Sequence, residues 1–175
     1  MTLSVQSQFA VMTAELYELL AGAIEDLTPD ELHHLPHERA NSIGFDAWHV
    51  ARTADNIVHF AFARERPLWM QQGLHEAWNL PRVEQGTGMP PEQARALRFP
   101  AAPLLAGYVR DVAAAVSSRI EAMSDDFLAE PVEIKFVGTL PRAQIIGRTV
   151  LQHGAAHLGQ ISLARTLLGR EGVGF

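Results

Sequence analysis

Apolar side chains return at steps of three and four residues along four separate stretches of this chain, and that periodicity restricts what it can fold into more than its composition does. In the first stretch, Phe9, Met12, Leu16, Leu19, Leu20, Ala23 and Leu27 share one side of a helix from about Ser4 to Leu27, which Thr28-Pro29 ends. The segment LTPDELHHLPHERANS, with two prolines and many polar residues, reads as a connection or a short helical turn. Ser42 is a helix N-cap, and a second helix runs from about Ile43 to Glu65, before Pro67.

Between Pro67 and Pro103 the pattern breaks at Gly73, Pro81, Gly86, Gly88, Pro90, Pro91 and Pro100, which predicts short helices in an extended crossover. A third helix spans about Pro103 to Met123, with Leu104, Leu105, Tyr108, Val112, Ala115, Val116 and Ile120 as its core stripe. PVEIKFVGTLPR alternates weakly and reads as a short strand or an extended connector. Thr139 is placed to cap a last helix from Pro141 to about Leu168, with Gly169 as its stop. Each apolar stripe has to be buried, so four such helices imply an all-α four-helix bundle, a single domain over residues 1–175.

Composition narrows the function. Hydrophobic residues make up 47% of the chain and charged residues 19%, which suits a packed core. The formal charge of −6 reflects 20 acidic against 14 basic residues, scattered without a basic stripe, so no nucleic acid and no anionic membrane is expected as a partner. The first residues lack the basic segment of a secretory signal, and no apolar run approaches the roughly 18 to 20 residues that span a bilayer. A cytoplasmic protein is the expectation. There is no cysteine, which excludes disulfides, thiolate metal sites and a protein thiol nucleophile. Any metal site must use nitrogen and oxygen donors.

The chemical signal lies on the last helix, in QHGAAHLGQ. His153 and His157, four residues apart, project from one face about one turn apart and can chelate one ion. Ile146, Val150, Ile161 and Ala164 share that face, so both imidazoles point inward and need hydrogen bonds or a metal. The pair alone serves equally well as a satisfied core pair. The spacing resembles half of a protease zinc motif, but Gly154 stands where that motif needs its catalytic glutamate, which argues against a protease mechanism. A third ligand is required for a divalent ion, and His49, near the start of the second helix, is the candidate.

NSIGFDAWHVARTADNIVHF and QHGAAHLGQISLARTLLG together resemble the two signature helices of the DinB-like superfamily of metal-binding bundles. Matching motif to motif, the resemblance implies that His49, His153 and His157 ligate one metal. It also implies up-down-down-up connectivity, with the Pro67–Pro103 stretch as the long crossover. Three imidazoles leave positions open for water or substrate and suit zinc or nickel, while iron, manganese or cobalt would also be accepted. Some members of the superfamily resemble transferases or isomerases that use a small thiol such as mycothiol, bacillithiol or glutathione. The resemblance therefore implies a small-molecule substrate and a low-molecular-weight thiol as partner.

Other residues have two readings. Arg52 and Asn56 follow His49 near its helical face and either line the site, with Arg52 gripping a substrate carboxylate, or form a solvated face. Gln160, beyond His157, either bonds a bound water or is a surface residue. His59 lies about three turns below His49, too far for a fourth ligand. His33, His34 and His37 read as exposed, and Trp48, Trp69 and Trp78 as packing residues. Gly86-Thr87-Gly88 lacks the lysine and strand of a phosphate loop. Apolar residues between Trp69 and Leu80 are a candidate surface for a homodimer. Three classes remain: a metal-dependent enzyme, a non-catalytic metal- or ligand-binding bundle, and a structural dimerising bundle whose histidines are core polar groups.

Overall fold

A computed structural model of the protein describes residues 3–174. Ser4 accepts the Ser7 N–H at 3.1 Å and starts α1, Val5–Glu25, which buries Tyr17, Leu20 and Ile24. Thr28 and Glu31 exchange hydrogen bonds in a capping box that opens α2, Pro29–Leu32, so the chain turns at once. Ser42 then caps α3, Ile43–Asp55, by accepting the Phe45 N–H at 3.2 Å. Every residue of α3 is buried, which makes it the central helix and puts any polar side chain it carries inside the bundle.

Helix α3 continues as a π-helical stretch, Asn56–Phe62, and stops where Arg64 takes a left-handed φ of 59°. The expected end at Glu65 is thus reached early. The crossover holds three short helices, α4 Leu68–Gln71, α5 Leu74–Ala77 and α6 Pro91–Ala96. Helix α7, Ala102–Glu121, returns along the bundle and packs most closely on α1. A short α8, Asp125–Ala129, leads into an antiparallel hairpin, β1 Pro131–Ile134 and β2 Gly138–Pro141, with Val132 opposite Leu140. The last helix is α9, Arg142–Ile145, running through a second π-helical stretch, Ile146–Gln152, into α10, His153–Leu167. At the start of each π stretch a side chain engages the carbonyl four residues back, His59 on Asp55 and Thr149 on Ile145, which competes with the α-helical ladder.

The result is a mostly helical up-down-down-up four-helix bundle. Two local expectations are corrected. Thr139 does not cap the last helix: it pairs with Glu133 in the hairpin, and Pro141 takes the cap position. Met12 and Leu104 point outward, 51% and 58% exposed, because the buried face of α1 runs through Ala10, Thr13, Tyr17 and Ile24 and that of α7 through Leu105, Val109, Val112 and Val116. Within the stretch from Trp69 to Leu80, Trp69 and Leu80 are buried and Trp78 packs edge-on against Trp69 and Tyr108, while Met70 and Leu74 keep part of their surface exposed. Among the described residues no helix is long and apolar enough to cross a membrane.

Candidate metal centre

The buried helix α3 carries His49 in its middle, and α10 begins with His153 and presents His157 one turn later. Packing of α10 on α3 brings the three rings together, with centroids 4.9 Å (His49–His153), 5.2 Å (His49–His157) and 4.6 Å (His153–His157) apart. One ligand atom from each ring lies within 4.8 Å of the others, so the group can hold a metal ion. Gly154 is buried against α1 and α3, where an added Cβ would stand 3.0 Å from Leu16 Cδ2 and 3.6 Å from Val50 Cγ1.

The free valences of the rings suit a cation. His49 Nδ1–H donates to the Gln85 carbonyl at 2.5 Å, which leaves Nε2 as a lone pair. That Nε2 lies 3.1 Å from His153 Nε2. Two imidazole nitrogens on one tetrahedral zinc, each about 2.0–2.1 Å from it, would be roughly 3.3 Å apart. The nitrogens are therefore at chelating separation. Nδ1 of His153 and Nδ1 of His157 are buried with no hydrogen-bond partner, the latter 3.2 Å from Asp46 Oδ1 but not aligned for a bond. Burial pushes the His49 imidazole below its ordinary pKa, and burial, then the His157 and His49 rings, bring His153 down to about 4. Both rings are neutral near pH 7, the form that ligates metal.

From His49 and His153 a cleft of about 970 Å³ opens outward. Both π-helical stretches wall it, through Asn56, Ile57 and Phe60 on one side and Arg148, Thr149 and Gln152 on the other, and the hairpin closes the rim. Such π segments recur at functional sites. Asn56 is thus in the cleft, with its Nδ2–H donating to Gln85 Oε1.

Other candidates lie elsewhere. Arg52 is fully buried and does not line the cleft; its guanidinium bonds to Asn56 Oδ1 and to the carbonyls of Arg82 and Val83. Gln160 is exposed and outside the cleft. His59 is buried against Asp55 at 2.8 Å, apart from the three rings. The expectation of exposure holds for His37 but not for His33, which is half-buried, stacks on Phe99 and accepts its N–H at 2.9 Å. His34 is half-buried too. The pull on His33 comes from the crossover, which folds Phe99 over it.

Sequence reasoning missed Asp46 and the Gln85 carbonyl. Asp46 had a readable signal: it lies three residues before His49, on the same face of α3. The Gln85 contact is made by backbone and leaves no trace in residue type.

Comparison with known proteins agrees with this architecture. A profile of the DinB superfamily matches residues 12–161. The chain belongs to the DinB superfamily. A solved structure described as a conserved protein from Enterococcus faecalis superposes with a TM-score of 0.83 at 22% identity, covering 97% of this chain and 100% of that one. At that identity the likeness concerns the fold. No functionally curated protein matches the chain significantly.

Proposed function

We propose that this DinB-superfamily protein is a metal-dependent enzyme acting on a small molecule, with His49, His153 and His157 holding one divalent transition ion. The observation that carries the reading is the cleft: it runs onto His49 and His153, so a fourth coordination position faces a space large enough for a substrate. Three neutral imidazoles and no thiolate favour zinc or nickel, and iron, manganese or cobalt would also bind.

A low-molecular-weight thiol is the cosubstrate of this proposal, and the reaction an S-transfer or isomerisation. When bound, the ion would lower the thiol's pKa and present it as a nucleophile. The protein's own residues line the cleft: Ile57, Phe60 and Val137 give it apolar walls against which the reactants can pack. At its rim, Arg64, Arg66, Lys135 and Arg148 make no ion pair among the described residues, while Glu65 is engaged by Arg119 and Glu84 and Glu133 stay free. That balance supports a substrate or thiol bearing an acidic group.

Elemental analysis of the purified protein beside its His49→Ala variant is the first test. About one transition metal per chain, lost in the variant, followed by metal-dependent consumption of a thiol, supports the proposal. Absence of metal after incubation with zinc, nickel or manganese would leave three core histidines and end it.

A further inference from the structure

We infer that Arg52 is a positioning residue for the metal centre, acting on His49 through the strap of residues 81–85; the inference rests on the metal-binding reading of the histidines. Arg52 is fully buried, a costly location for a guanidinium, and an ion pair so placed is weak evidence of a stabilising role. Its neighbours show what it holds. It lies over the Trp69 ring at 5.1 Å, with Asp55 Oδ2 3.9 Å from its Nη1. Its Nη2–H groups reach the carbonyls of Arg82 at 3.4 Å and Val83 at 3.3 Å.

The strap has no regular secondary structure, so its carbonyls need partners from outside it. Trp69 Nε1–H supplies Pro81 at 3.0 Å, Arg52 supplies Arg82 and Val83, and His49 supplies Gln85 at 2.5 Å. A side-chain relay runs parallel to these bonds: Arg52 Nη1–H donates to Asn56 Oδ1 at 3.3 Å, and Asn56 Nδ2–H donates to Gln85 Oε1. Gln85 is therefore held at its side chain by Asn56, which Arg52 anchors, and along its backbone by the strap whose Arg82 and Val83 carbonyls Arg52 fixes. Its carbonyl fixes the proton of His49 on Nδ1 and so directs the Nε2 lone pair at His153.

Lysine at position 52 keeps the charge, but a single ammonium cannot span both strap carbonyls and Asn56. Two variants, Arg52→Lys and Arg52→Met, are compared with the wild type and with Ile120→Ala, a core variant distant from the strap. In metal-free protein, nitrogen-15 spectra of the imidazoles report the His49 tautomer; in loaded protein, competition with a chelator reports zinc affinity. The expected result is a single Nδ1–H tautomer for His49 in the wild type and in Ile120→Ala, and a mixture in the Arg52 variants. Zinc binding weakens by roughly 10- to 100-fold in those variants, the range for loss of an outer partner of a ligand. A His49 that keeps its tautomer in both Arg52 variants, or zinc affinity within about twofold of the wild type, overturns the inference. If only Arg52→Lys folds, it alone decides. A wild type that binds no metal ends the metal reading, and the tautomer of the metal-free protein still decides the role of Arg52.

Discussion

Asp46 Oδ1 stands 3.2 Å from Nδ1 of His157, across the contact between α3 and α10. Asp46 is 4% exposed and also accepts Asn41 Nδ2–H at 2.9 Å, so the carboxylate is fixed in place. A modest turn of the His157 ring would let Nδ1–H donate to this carboxylate, and a carboxylate so bonded to the far nitrogen of a ligating imidazole orients the ring and raises its basicity. Asp46→Asn should therefore weaken zinc binding by about 10- to 100-fold with helical content unchanged. Chelator competition measures it; unaltered affinity would show that the carboxylate serves only Asn41.

Gly86 is the residue after the carbonyl that holds His49. Its φ is +96°, and an added Cβ would stand 2.8 Å from Phe45 Cζ and 3.1 Å from His49 Nδ1. Any side chain there meets both backbone strain and an aromatic wall. Gly86→Ala should cost roughly 1–3 kcal/mol in urea unfolding and weaken metal binding as the strap lifts from His49. Gly88→Ala, also at positive φ but with open space around its Cβ, is the control: it should lose stability without losing metal. Equal metal affinity in the two variants would argue against a close approach at Gly86.

Much of this was legible in the sequence. Three- and four-residue periodicity marked the four long helices, because burial of a stripe is a local pattern. His153 and His157 were visible as a pair since both lie on one helix at one-turn spacing, whereas His49, a candidate from the need for a third ligand, was matched to them by resemblance to a family. The misreadings have a common physical origin. Thr139 before a proline looks like a cap, yet pairing with Glu133 outweighs it, and His33 looks solvated until Phe99 folds over it from residues far along the chain. Arg52 reads as a site-lining or solvated cation on an amphipathic helix, but α3 is buried all round, which its own sequence does not announce.

Acid should act on the metal-free protein through His153. Its pKa is near 4 in the folded chain, lowered by burial and by the neighbouring rings, against about 6.5 in an unfolded one. Neutral His153 therefore favours the fold fully above about pH 6.5, and that contribution is lost as pH falls from there towards 4. His49, lowered for the same first reason, acts in the same direction. A proton-NMR titration should find the His153 ring resonance flat between about pH 7 and 5.5. A midpoint at the ordinary histidine value would mean the ring is hydrated and the site open in solution.

Asp55 is the most heavily used acceptor near the site. It is fully buried and receives the Leu68 N–H at 2.8 Å, the Trp69 N–H at 3.0 Å and the Tyr108 hydroxyl at 3.1 Å, with His59 at 2.8 Å. Those bonds tie α3 to the start of α4 and to α7, so the carboxylate fastens the crossover from which the strap hangs. Asp55→Ala leaves two backbone donors without a partner and the buried Arg52 guanidinium without its nearest counter-charge, and should cost about 3–5 kcal/mol. Tyr108→Phe removes one donor and leaves the carboxylate satisfied by the others, so its loss should be nearer 1 kcal/mol. Urea unfolding of both variants, without metal, separates the two. If they lose the same amount, the Tyr108 hydroxyl and not the pair of backbone N–H groups is what Asp55 is there to hold.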